Sequence, residues 1–248
     1  MKTVRFTLRI TGFVLLLLAG AIIATLLFHR RNRDYHHHKT IVRRWMACCT
    51  WLMGCKPEVN RPETEMVDGS LLVANHISWL DIFVVGGTYQ VRFLSKAEIR
   101  SWPLFGWLSA ISGTLFIERG SGSDQAAQAI TQALRAGDNV MLFPESTTTS
   151  GISVKPFHPR LFKSALQTGR PVVPLLISYP GNGTPDTSIA WNDSNHFTHT
   201  LWNVLSRKST RVIVEQFAPV MVDPGESRTV LAKKCHSKIQ HALEQLYD

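Results

Sequence analysis

A chain of 248 residues has room for one large α/β domain with an appendage, or for two small domains, and 44% apolar residues supply a core. The net charge of +9 favours anionic partners, such as a phospholipid surface or a phosphate-bearing acyl carrier. With no RNP-like block, no zinc-finger spacing and no Cys-x-x-Cys among Cys48, Cys49, Cys55 and Cys235, the composition argues against nucleic-acid binding, a zinc site and a disulfide framework.

Residues 10–28 are apolar and free of charge, at the lower end of the length that spans a bilayer. Lys2, Arg5 and Arg9, with Ala19-Gly20-Ala21, also fit a cleaved signal peptide. The apolar run continues past that site to Leu27, which disfavours cleavage. Arg30, Arg31, Arg33, Lys39, Arg43 and Arg44 outnumber the basic residues ahead of the run. Residues 1–29 therefore read as an anchor in the inner membrane, spanning it or entering as a shallow hairpin, with the rest of the chain facing the cytoplasm. His36-His37-His38 reads as a solvated loop. Residues 41–55 set Trp45, Trp51 and Leu52 beside Arg43 and Arg44, and fit either an interfacial helix on an anionic leaflet or a core helix. Residues 56–62 read as a polar linker, so that a basic amphiphilic segment fills 30–65 and a catalytic domain 66–248.

From there short apolar strands alternate with helices. Strands are expected at 71–73, 91–94, 114–117, 140–143, 172–177 and 211–214. Helices are expected through Val85, from Ser123 to a stop at Gly137, and over 161–166, 197–205 and 226–247. The fold class is α/β, with a mainly parallel central sheet flanked by helices and preceded by the anchoring and interfacial helices. Residues 179–195, rich in Gly, Pro, Asn and Asp, form a long loop, either a lid or plain surface irregularity.

Asn75-His76-Ile77-Ser78-Trp79-Leu80-Asp81 follows the first of these strands. Residues five apart in a helix point about 140° away from each other. His76 and Asp81 meet only if His76 lies in the turn and Asp81 reaches back from the first turn of the helix. A carboxylate that fixes one ring nitrogen leaves the other to take a proton from a hydroxyl. The competing reading is a helix capped by Asn and His, with Asp81 an ordinary first-turn carboxylate.

Asn-His-x4-Asp is followed in order by Gly113-Thr114-Leu115-Phe116-Ile117-Glu118-Arg119, by Phe143-Pro144-Glu145, and by Val172-Val173-Pro174-Leu175. Over about residues 66–220 this resembles the 1-acylglycerol-3-phosphate acyltransferase family, and Lys96-Ala97-Glu98 with Pro103-Leu104-Phe105-Gly106-Trp107 is similar to it as well. The resemblance implies direct acyl transfer from acyl-CoA or acyl carrier protein to a lysophospholipid hydroxyl, giving phosphatidic acid, with no metal and no bound cofactor. It implies His76 as base, Asp81 as its orienting partner, Arg119 on the acceptor phosphate, Glu145 at the acceptor or glycerol site, and Lys96 as a secondary cation. Outside the resemblance, Arg119 reads as a surface arginine and Lys96 as a solvated helix-start residue.

The third block departs from the family's usual Phe-Pro-Glu-Gly-Thr, often continued by Arg-Ser. Ser146 replaces the glycine, and Thr148 stands where arginine is common. A missing guanidinium removes a bidentate phosphate partner. Lyso-ornithine lipid, which has no phosphomonoester, is therefore the alternative acceptor. Two other classes compete. Ser78 beside His76 and Asp81 suggests a hydrolase, but Gly-x-Ser-x-Gly is absent and Ser78 reads better as a helix cap. The basic, aromatic N-terminus alone would suit a non-enzymatic membrane-binding protein.

Overall fold

The computed structural model describes residues 1–28, 35–117, 122–192 and 195–248. The sheet strands are β1 (Cys55–Asn60), β2 (Leu71–Ala74), β3 (Arg92–Lys96), β4 (Leu115–Ile117), β5 (Val140–Leu142), β6 (Val172–Ser178) and β7 (Thr210–Gln216). Among the described residues they form one sheet in the order β1-β7-β6-β2-β5-β3-β4. Every pairing is parallel except β6 with β7.

The helices are α1 (Lys2–Phe28), α2 (Tyr35–Leu52), α3 (Leu80–Thr88), α4 (Ala97–Arg100), α5 (Phe105–Ile111), α6 (Gly122–Arg135), α7 (Lys163–Thr168), α8 (Phe197–Ser206) and α9 (Arg228–Tyr247). The period of two along β2 sends Leu72 and Ala74 to one face and Leu71 and Val73 to the other. The first face packs against α1, α2, α3 and α8 through Phe13, Met46, Val84 and Val204. The second packs against α6, α7 and α9 through Ile130, Ala165 and Leu231. Both faces are covered, which is why the central strands are continuously apolar.

Residues 56–62 are not a linker. They supply most of β1, which extends the sheet beyond β7 in parallel register, Cys55 opposite Thr210 and Asn60 opposite Glu215. Polarity disguised the strand, because Lys56, Pro57 and Glu58 lie exposed on the sheet's edge. An edge strand needs hydrogen bonds on one side only, so Pro57 is tolerated. Glu58 takes a two-pronged bond from Arg211 at 2.8 and 2.7 Å.

The N-terminal helices are built into the same core. Phe13 and Leu17 of α1 are buried, whereas Leu8, Leu15, Leu18, Ile22 and Leu26 are exposed. Lys2–Leu26, with mean hydropathy 2.2, is long and apolar enough to cross a membrane. Arg5 donates to the Ser206 carbonyl at 2.8 Å, and Arg9 to the carbonyls of Leu205, Arg207 and Lys208 at 3.2, 2.7 and 3.0 Å. These cations cap the C-terminal end of α8. Of the two readings for residues 41–55, the core one describes the inner face of α2, where Met46 and Cys49 are buried, with Met53 buried just past its end; Trp51 is exposed on the outside.

Close helix approach explains the Gly86-Gly87 pair of α3. A Cβ on Gly87 would lie 2.9 Å from the backbone of Ala47, and one on Gly86 would collide with Met46 Sδ. Gly87→Ala must push α2 away from α3. We expect it to cost about 1–3 kcal/mol, seen as a lower thermal midpoint; an unchanged midpoint would mean that the helices slide apart freely.

Candidate active site

β2, β5, β3 and β6 run parallel, so their C-terminal ends share one edge of the sheet, where α/β folds collect ligands. His76 lies just past β2, Glu145 just past the adjacent β5, and Lys96 at the end of β3. Asn75 fixes the exit from β2. Its Nδ2 donates to the Ile177 carbonyl and its Oδ1 accepts the Ile177 N–H, both at 2.8 Å. The amide thereby continues the β2–β6 ladder past the last paired residue.

The chain then turns into α3, and Asp81 reaches back from its first turn as the spacing required. Oδ2 accepts the N–H groups of Ile77 at 2.7 Å and Ser78 at 2.9 Å, and lies 2.8 Å from His76 Nδ1. Oδ1 accepts the Tyr179 hydroxyl at 2.6 Å. Asp81 is fully buried, while the His76 side chain is 17% exposed. An ionised carboxylate only accepts, so the proton sits on Nδ1 and Nε2 is the nitrogen with a lone pair to use. The ring is stacked on Phe143, with centroids 4.0 Å apart and planes at 14°.

Glu145 braces this turn from below. Oε1 accepts the His76 N–H at 2.7 Å and Oε2 the Lys155 N–H at 2.8 Å. Burial pushes its carboxyl up to about 7, against the pull of those two donors and of His76. Both oxygens thus hold backbone, a positioning task that the sequence did not suggest. Lys96 is exposed at the junction of β3 and α4, opposite Ile117 of β4, and no hydrogen bond joins it to His76, Asp81 or Glu145. Arg119 lies outside the described residues.

Ser78 is not a helix cap. Trp79 occupies the cap position of α3 without a side-chain cap bond, and Asp81 instead accepts the N–H groups of Ile77 and Ser78 in the turn ahead of the helix. Among the described residues, Ser78 Oγ is buried with no hydrogen-bond partner, so none of them activates it as a nucleophile. Ser78→Ala should therefore retain activity within about twofold and leave stability unchanged or up to about 1 kcal/mol higher. Loss of turnover in that variant would revive the hydrolase reading.

Around the third block, Ser146 adopts φ 58°, the left-handed backbone that glycine takes without strain. The Thr148 hydroxyl donates to the Trp191 carbonyl, the Trp191 N–H to the Ile77 carbonyl at 2.9 Å, and the Thr149 N–H to the His76 carbonyl at 2.8 Å. The segment at 179–192 is thus stitched onto the turn that carries His76 as a wall. Farther along it, Asp186 binds Arg207 and Ser188, and that pairing with the guanidinium holds the Asp186 carboxyl below its usual range although burial opposes it. Tyr179 and Thr149 were not singled out from the sequence, and Asn75 was read there only as part of the Asn-His-x4-Asp block or as a helix cap, whereas it bonds Ile177. Each acts on a residue far away in the chain, which local pattern does not register.

Residues 56–178 match the family described as Acyltransferase. The lyso-ornithine lipid O-acyltransferase of Pseudomonas aeruginosa is 40% identical over 70% of this chain and 67% of its own. The 1-acyl-sn-glycerol-3-phosphate acyltransferase of Neisseria gonorrhoeae is 34% identical over 74% of this chain and 72% of its own. The crystal structure of the 1-acyl-sn-glycerophosphate acyltransferase of Thermotoga maritima superposes with a TM-score of 0.71 at 19% identity, covering 99% of this chain and 98% of that one. That likeness shows the fold, mainly parallel sheet included. With the sequence relatives beside it, this chain belongs to the acyltransferase family whose members include the lyso-ornithine lipid and 1-acylglycerol-3-phosphate O-acyltransferases.

Proposed function

We propose that the chain moves a fatty acyl group from a thioester donor, acyl-CoA or acyl carrier protein, to the free hydroxyl of a lysolipid. The observation that carries this is the His76 Nδ1–Asp81 Oδ2 bond of 2.8 Å, which leaves Nε2 at the open edge of the sheet. Nε2 takes the hydroxyl proton as the oxygen attacks the thioester carbonyl. The tetrahedral intermediate collapses, expelling thiolate, and the proton passes from His76 to the sulfur. Buried Asp81 offsets the charge of the imidazolium in between.

The acceptor is 1-acylglycerol 3-phosphate and the product phosphatidic acid, with Arg119 and Lys96 as cations for the phosphate and Glu145 at the glycerol side. A second reading, lyso-ornithine lipid, is favoured by Thr148, whose hydroxyl is spent on the Trp191 carbonyl, and by the Pseudomonas relative. The exposed apolar stripe of α1 supports attachment to an anionic membrane. The basic residues after it support residues 1–29 as an inner-membrane anchor, the basic stretch from Arg30 to Arg44 as part of that attachment, and a catalytic face toward the cytoplasm.

The test is acyl transfer by purified protein in mixed micelles. Each donor is offered with each acceptor, beside a His76→Ala protein. Transfer to lysophosphatidic acid supports the first reading. Transfer to lyso-ornithine lipid alone replaces the acceptor and keeps the mechanism. Folded protein inactive with all four pairs refutes the proposal.

A further inference from the structure

Tyr179 is the residue immediately after β6, buried in the core beside the site. Three groups already crowd Oδ2 of Asp81: the Ile77 and Ser78 N–H groups and His76 Nδ1. Among the described residues, Oδ1 is satisfied by the Tyr179 hydroxyl. Without it, one oxygen of a fully buried carboxylate would have no donor. The phenol is a fixed donor. Its ring sits in the same apolar cluster as Ile189 and Ala190, and its carbonyl accepts the Asp186 N–H at 2.8 Å. Burial and the neighbouring Asp81 charge hold the phenol proton on far above the usual tyrosine range.

We propose that Tyr179 is a positioning residue for the acyl transfer: through Asp81 Oδ1 it fixes the plane of the carboxylate and limits how tightly that carboxylate holds the His76 imidazolium. This rests on His76 being the base. A donor on Oδ1 draws negative charge away from Oδ2. With the donor removed, Oδ2 grips the Nδ1 proton harder, His76 stays protonated to higher pH, and the carboxylate is freer to rotate. The titratable groups facing Asp81 and Tyr179 are His76, Glu145 and, from β1, Cys55.

Tyr179→Phe keeps the ring and deletes the hydroxyl. In the full chain, in micelles, we expect kcat to fall about tenfold while KM for both substrates stays within about twofold. The acid limb of kcat/KM should move up by about half a pH unit or more. Because burial pushes the Glu145 carboxyl up to about 7, where it adds its own pH dependence, the midpoint is read on the His76 ring itself by NMR of histidine-labelled protein, assigned with His76→Ala. Fluorotyrosine at 179 keeps the side chain and strengthens the donor, so the midpoint should move the other way; this arm also serves if Tyr179→Phe folds poorly. Ser178→Ala, which removes a hydroxyl 2.5 Å from the Tyr247 hydroxyl, should leave the midpoint unmoved. A lower melting temperature with kcat and the His76 midpoint unchanged, or shifts of the wrong sign, would overturn the proposal and leave Tyr179 a core tyrosine. Full activity in His76→Ala would instead defeat the reading of the base, whatever Tyr179 does.

Discussion

Asp81→Asn is expected to lower kcat by about 10²–10⁴-fold and to melt at a lower temperature than the parent. The carboxylate accepts four hydrogen bonds from three directions in a fully buried position. An amide offers one oxygen and presents two N–H donors to what is left. If the oxygen stays on Ile77, Ser78 and His76, the NH2 faces Tyr179, whose hydroxyl can turn and accept. The fold then survives, at a cost of about 1–3 kcal/mol for weaker, uncharged bonds to the turn. For a chain of this size each kcal/mol is worth roughly 2–4 °C in melting temperature. The chemistry has no such escape, because an amide does not offset the imidazolium formed when the hydroxyl gives up its proton. Thermal unfolding and turnover, measured on one preparation, should therefore diverge: a modest shift in one and near-abolition of the other. Asp81→Asn with turnover near that of the parent would remove Asp81 from the mechanism.

His76→Ala should cost at least as much rate with less damage to the fold. The ring is partly exposed and leaves behind a carboxylate still held by Ile77, Ser78 and Tyr179. What goes is the proton acceptor and the stack on Phe143. We expect a fall of about 10³-fold or more in kcat, KM changed by no more than a few-fold, and partial recovery when imidazole is added, since the vacated space next to Phe143 and Asp81 matches that ring. Unchanged turnover would exclude a base at this position.

The parts legible in the sequence were those with a local signature. Alternating short strands and helices announced a mainly parallel α/β sheet, and the five-residue offset of His76 and Asp81 placed one in the turn and the other in the helix. What escaped was non-local or lay at an edge. β1 alternates only weakly, Cys55, Pro57 and Val59 against Lys56, Glu58 and Asn60, and its exposed polar face and mid-strand proline made it pass for a linker. Ser78 had the right composition for a cap, but the helix starts one residue later, with Trp79 at the cap position. Glu145 was assigned to substrate from the family likeness, while its two oxygens hold the His76 and Lys155 backbone. Tyr179 stands 98 residues from the carboxylate it touches, and no window of sequence connects them.

The pairing of β1 with β7 has a mechanical consequence. Chain that leaves α2 enters the sheet at Cys55 after only Met53 and Gly54, and Thr50 Oγ1 donates to the Phe83 carbonyl at 2.9 Å on the way. The enzyme is therefore no balloon on a string. On the proposed attachment of α1 to a bilayer, the bonds of Arg5 and Arg9 to α8 and the β1–β7 pairing would hold His76 at a set distance and tilt above the lipid. Cutting the chain before β1 should yield aggregate rather than a soluble catalytic fragment, because it strips the cover from Val84 and bares a buried face of the sheet.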